Sequence, residues 1–227
     1  MVVRSKSAAF YNTRAAKSLV FDPACRDCPR LAAYLDRVGR EHPGYHARPV
    51  APFGPARAEL LIVGLAPGLH GANRTGRPFT GDHAGILLYE TLHGQGFASH
   101  QGSADPHDGL KLIGCRVTNA VKCLPPQNKP APDEVRRCNR YLVQEIAAVR
   151  PRAILALGAV AHRGVLMALG LAPGKWRFAH HAVHDLASVR LFDSYHCSRY
   201  NTQTKRLTAR MFQAVVRDIA NFLRRSQ

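Results

Sequence analysis

Short apolar runs alternate along the chain with longer stretches whose apolar residues recur every three or four positions. The runs at 59–63 (ELLIV), 115–121 (CRVTNAV), 153–157 (AILAL) and 188–192 (SVRLF) predict strands. Residues 85–92 and 159–169 read as helices between them. Over 133–149, Val135, Cys138, Tyr141, Leu142, Ile146 and Val149 fall on one helical face, so Cys138 points inward, and Asp133 serves as N-cap or first-turn acid. A last helix is predicted over 204–223, with Leu207, Met211, Val215, Ile219 and Leu223 as its core stripe.

Strands alternating with helices imply an α/β fold whose mostly parallel sheet is covered on both faces, because parallel strands need crossover helices. Ligand sites in such sheets lie where loops leave the C-terminal strand ends. Three such loops, 64–82, 119–132 and 194–204, are rich in glycine and polar residues, and 123–132 (CLPPQNKPAP) reads as a rigid, extended connection. The segment before Glu59 shows no convincing parallel strand and reads as an N-terminal extension packed on the same domain. Residues 21–227 are therefore expected to form one domain, preceded by a basic arm, 1–20, that carries Arg4, Lys6, Arg14 and Lys17 and no apolar secretory core.

Charge narrows the partner. Against 15 acidic residues the chain has 32 lysines and arginines, a formal +17, so a polyanion is expected. No run of apolar residues is long enough to span a membrane. Six cysteines without a secretory signal point to metal ligation or buried thiols in a reducing, cytoplasmic compartment. Cys25 and Cys28 form a C-x-x-C pair, and Cys123 and Cys138 a second, wide pair; four thiolates could hold zinc or an iron–sulfur cluster, and spacing leaves the metal open. Such a site would pin the irregular N-terminal segment and the Pro-rich loop to a helix. Cys115 and Cys197 read as core residues.

Four segments taken together are specific: GLAPG at 64–68, RTGRPFTGD at 74–82, TNAVKCLPP at 118–126 and SYHCSRYNT at 194–202. In order, and with the four cysteines in place, the chain resembles the iron–sulfur uracil-DNA glycosylases, most closely the family 5 (type b) branch. The resemblance implies a three-layer α/β/α sandwich and a 4Fe-4S cluster on Cys25, Cys28, Cys123 and Cys138. It also implies hydrolysis of the glycosidic bond of uracil, and of hypoxanthine or other damaged bases in some members, by a monomer acting on nucleoid DNA. Family 4 enzymes carry an acid where this sequence has Leu65, which is the family 5 pattern.

A base inside a duplex must flip into a pocket to be cut, and the pocket needs an aromatic face and groups that read the base edge. Phe79 matches the family's stacking phenylalanine, and Asn119 offers an amide that can pair with O4 and N3 of uracil. His196 matches the second motif, here His-Cys-Ser in place of His-Pro-Ser, as donor to the developing charge at O2. Asp82 is the candidate to position water, with helix capping as its rival role. His70 and the backbone amides of Ala66 and Gly68 complete the pocket. Arg199, Tyr200, Asn201, Lys205 and Arg206 supply phosphate contacts and a wedge. His180, His181 and His184 are given no ligand role. The rival reading is a non-catalytic nucleic-acid-binding module with a structural zinc.

Overall fold

The computed structural model describes residues 21–186 and 188–225, so the expected basic arm 1–20 lies outside the described residues. Strands β1 (Leu60–Gly64), β2 (Cys115–Asn119), β3 (Ala153–Leu157) and β5 (Val189–Ser194) run parallel. β4 (Val183–Leu186) pairs antiparallel with β5 at one edge, and the order across the sheet is β2-β1-β3-β5-β4. The expected α/β class and mostly parallel sheet are present.

Alternation along the strands divides the core. Leu60, Ile62, Leu155 and Leu157 face helices α3 (His83–Gly94) and α7 (Ala209–Arg225), meeting Leu88, Leu92, Phe212, Val216 and Ile219. Leu61, Val63, Ile154 and Ala156 face α4 (Pro132–Val149) and α5 (Ala159–Ala168), meeting Leu142, Ile146 and Val165. Three layers result, as expected. All these strand residues are buried, and truncating one of the leucines or isoleucines to alanine costs about 2–5 kcal/mol.

The structure departs from the sequence reading at five places. The N-terminal extension contains a regular helix, α1 (Pro29–Glu41), whose buried residues Leu31, Ala32, Leu35 and Val38 form one stripe. The first loop contains a helical turn, α2 (Ala72–Thr75), and the Pro-rich connection a 3₁₀ turn, Pro126–Asn128. β4 is an edge strand with exposed positions and so lacks an apolar run. The predicted last helix is broken: α6 (Arg199–Gln203) ends, Lys205 adopts a left-handed φ of 56°, and α7 starts at Ala209 with the Thr208 hydroxyl accepting from the Met211 N–H. Leu207 is core, but from the turn, and Met211 is half-buried. Asp133 lies in the first turn of α4, where Glu134 does the capping by accepting from the Ala131 N–H at 2.7 Å. Among the described residues no helix is long and apolar enough to cross a membrane.

Candidate active site

A cleft of about 1040 Å³ opens at the C-terminal edge of the sheet. Leu65, Ala66, Gly68, His70, Phe79, Asp82, Asn119, His196 and Arg199 all line it, so residues from all three predicted loops converge. Gly64 and Asn119 are direct partners in the β1–β2 register, which sets the amide of Asn119 beside the exit of β1. A Cβ at Gly64 would stand 2.4 Å from Asn119 Oδ1 and 2.6 Å from Phe79 Cζ, so the missing side chain lets amide and ring approach one another. Asn119 Oδ1 is buried and accepts no hydrogen bond, which leaves an acceptor ready for a ligand N–H. Phe79 holds a left-handed φ of 53°, rare for a bulky residue, and its ring lies 5.7 Å from that of His196 with 28° between the planes.

Burial lowers the His196 pKa to about 4, so the imidazole is neutral at pH 7 and can donate without carrying charge. Its loop is held by Asn201, whose Nδ2 donates to the His196 carbonyl at 2.8 Å. Asp82 does cap α3, accepting from the Gly85 N–H at 3.1 Å through Oδ1. Its other oxygen, Oδ2, fits against Gly68 and Gly71: a Cβ at Gly71 would lie 2.1 Å from it. Burial is the main cause of a raised Asp82 pKa, opposed by the Gly85 and Ala84 N–H groups. Cap and cleft acid are thus two ends of one carboxylate.

The rim residues divide. His70 is exposed, with Nδ1 2.8 Å from the Tyr45 hydroxyl. Arg199 reaches the cleft, while Tyr200, Lys205 and Arg206 do not line it; Tyr200 is 70% exposed and Arg206 stacks over Tyr195 at 4.6 Å. Asn201 is committed to positioning His196. Sequence reasoning missed Arg74, His83, Ile86 and residues 102–104, all of which line the cleft. His83 bridges α3 to α6 through the Thr202 hydroxyl at 2.9 Å.

On the opposite flank Cys25, Cys28, Cys123 and Cys138 line one cavity together with Leu31, Val121 and Tyr141. Burial pushes the Cys28 thiol up to about 11, and the charges of Cys138, Glu134 and Cys25 raise it further; burial and the other three cysteines raise Cys123 in the same way. Four thiolates here require a cation between them. The Lys122 N–H donates to Cys138 Sγ at 3.2 Å and Arg140 to Cys25 Sγ at 3.6 Å, while Arg137 lines the same cavity. Arg30 clasps Glu134 at 2.8 and 2.7 Å, tying the start of α1 to α4. The donor set suits a metal group with four thiolate ligands. Cys115 and Cys197 are buried and free, as expected for core residues.

The model of the Uracil DNA glycosylase superfamily matches residues 51–220. The chain belongs to that superfamily. It is 47% identical over 200 residues to the type-5 uracil-DNA glycosylase of Thermus thermophilus, covering 85% of this chain and 91% of that relative. The type-5 uracil-DNA glycosylase of Pyrobaculum aerophilum is 42% identical over 200 residues, 86% of this chain and 88% of its own. That of Mycobacterium bovis is 42% identical over 205 residues, 86% and 76%. Within the superfamily the chain thus falls in the type-5 uracil-DNA glycosylase branch.

In this superfamily member one further polar cluster lies behind the cleft. Among the described residues, the group of His, Cys, Asp or Glu whose ligand atoms all fall within 4.8 Å is His162, His184 and Asp193. Its contacts are filled by protons: His162 Nδ1 and His184 Nε2 meet the two Asp193 oxygens at 2.9 and 3.0 Å, and His162 Nε2 meets the Trp176 carbonyl at 2.9 Å. Burial lowers the His162 pKa, but the hydrogen bond and charge of Asp193 outweigh it and the net shift is upward.

Proposed function

We propose that this chain flips uracil out of DNA and hydrolyses its N-glycosidic bond, leaving an abasic site. The observation that carries the reading is the orphaned Asn119 Oδ1, buried beside the Phe79 ring. A carbonyl acceptor paired with an amide donor matches the N3–H and O4 of uracil and mismatches cytosine, whose edge has the reverse polarity. Hypoxanthine presents the same donor–acceptor pair and is expected as a second substrate. Phe79 supplies the stacking face.

Bond cleavage sends negative charge onto the pyrimidine and positive charge onto the sugar. His196, kept neutral by burial, donates to the developing charge at O2, a contact that strengthens toward the transition state. Asp82 orients and deprotonates water and stabilises the sugar cation, its basicity raised by burial. The formal +17 and Arg199 at the cleft favour the phosphate backbone. Residues 21–227 act as one domain and as a monomer on nucleoid DNA in the cytoplasm.

Cys25, Cys28, Cys123 and Cys138 would hold a 4Fe-4S cluster. Lys122, Arg137 and Arg140 border these thiolates and offset the negative charge of a tetrathiolate group. The cluster would supply structural bracing at this corner.

The test is base release from a duplex carrying one U·G pair, followed by alkali, beside an undamaged duplex and the protein's visible spectrum. Breaks at uracil alone, from a brown protein, are expected. A colourless protein that binds both duplexes and releases nothing overturns the reading in favour of a zinc-held binding module.

A further inference from the structure

We propose that Arg77 is the positioning residue of the base pocket, holding Phe79 in its left-handed pose and locking the 102–108 segment against it. The proposal rests on the reading of the cleft as a uracil pocket. Arg77 is buried and does not line the cleft. Nε donates to Thr80 Oγ1 at 2.8 Å; Nη1 donates to the Pro106 carbonyl at 3.1 Å and Asp108 Oδ1 at 3.0 Å. Nη2 donates to Ser103 Oγ at 2.8 Å, the Asp105 carbonyl at 2.7 Å and Asp108 Oδ2 at 2.6 Å. One face of the guanidinium covers the Phe53 ring at 4.9 Å.

These contacts bracket Phe79 on both sides. Before it, Arg77 is itself fixed, and the Tyr89 hydroxyl donates to the Pro78 carbonyl at 2.8 Å. After it, Thr80 is gripped by Arg77 and shares a hydrogen bond of 2.6 Å with Ser103, and the Gly81 N–H donates to the Ser103 carbonyl at 2.8 Å. A strained backbone persists only where its surroundings over-determine it, and here the Arg77 contacts to Thr80 and the 103–108 segment do so. Ser103 also lines the cleft, so the same cation ties the segment that carries the ring to residues 102–104 of the cleft lining. Only a planar fork with five donors can serve these acceptors; lysine keeps the charge but has three donors on one nitrogen. Asp108 neutralises the cation. Burial opposes its charge, yet the Arg77 hydrogen bond and the Leu110 N–H hold its carboxyl below the ordinary value.

A double-mutant cycle with Phe79 separates positioning from general stability. Single-turnover base release from the U·G duplex, and binding to a duplex carrying uncleavable 2′-fluorodeoxyuridine, are measured for wild type, Arg77→Lys, Phe79→Ala and the double variant. Arg77→Lys is expected to lose about tenfold in kcat/KM in the wild-type background and under about twofold in the Phe79→Ala background, since it acts through the ring. Equal losses in both backgrounds overturn the proposal. If Arg77→Lys does not fold, Asp108→Asn replaces it in the same cycle, with about a threefold loss expected only where Phe79 is present. Absence of uracil release from the wild-type chain would instead sink the reading of the pocket, and so the two failures are told apart.

Discussion

The cleft and the cysteine corner sit on either side of the same β2 exit, and they are held by opposite means. Around the cleft, rigid strands end in register and loops are fastened by dense hydrogen bonding, which holds an unpaired amide oxygen and a left-handed phenylalanine in place. Around the corner, α1, the Pro-rich connection and α4 meet over four sulfurs that repel one another when charged, a repulsion that Lys122, Arg137 and Arg140 offset only in part. The first region stores polarity for a ligand that comes and goes, whereas the second needs a permanent one. Chemistry should therefore be lost at the cleft without unfolding, and structure lost at the corner without chemistry being touched directly.

The sharpest test is His196→Ala, expected to slow base release by about 10³-fold while the melting temperature and visible spectrum stay as in wild type. A large fall in melting temperature would show that the cleft is not self-supporting. Next, Cys138→Ser should bleach the visible absorption and cost about 3 kcal/mol, about 10 °C of melting temperature, by thermal denaturation. If it also abolishes release at a temperature where far-ultraviolet circular dichroism shows an intact fold, the contrast between the regions fails.

Asp82→Asn separates two roles of one residue, because asparagine caps a helix as well as aspartate does. Stability should hold while release falls about 10²-fold. Wild-type release should decline on acidification through a pH above the ordinary aspartate range, since burial raises this carboxyl, and the variant should lack that limb. The smallest effect concerns His162. Its folded pKa lies above the unfolded value, so the stability it contributes is complete below about pH 6.5 and is lost as pH rises through the folded pKa. A His162→Asn variant should flatten that slope in urea titrations across pH 5–9.

Much of the sheet was legible because buried parallel strands leave continuous apolar runs, as at Leu60–Gly64 and Ala153–Leu157. The cleft residues were legible as motifs, Phe79, Asp82, Asn119 and His196 arriving together as expected. Helix α1 was missed although Leu31, Leu35 and Val38 have helical spacing, because the C-x-x-C pair before it drew the segment toward irregular structure. The break at Lys205 left no trace, since the apolar stripe continues across it through Leu207. Contacts made across distance, Arg77 with Asp108 or His162 with Asp193, have no period to read.

Beyond the last residue of β2, pairing does not stop: the Ala120 N–H donates to the Gly64 carbonyl and the Val121 N–H to the Leu65 carbonyl, at 2.9 and 3.0 Å. These two rungs stand between Asn119 and Cys123, so the backbone that carries the base reader and the backbone that carries a cluster ligand form one continuous ladder, pinned in register by Gly64 and Leu65.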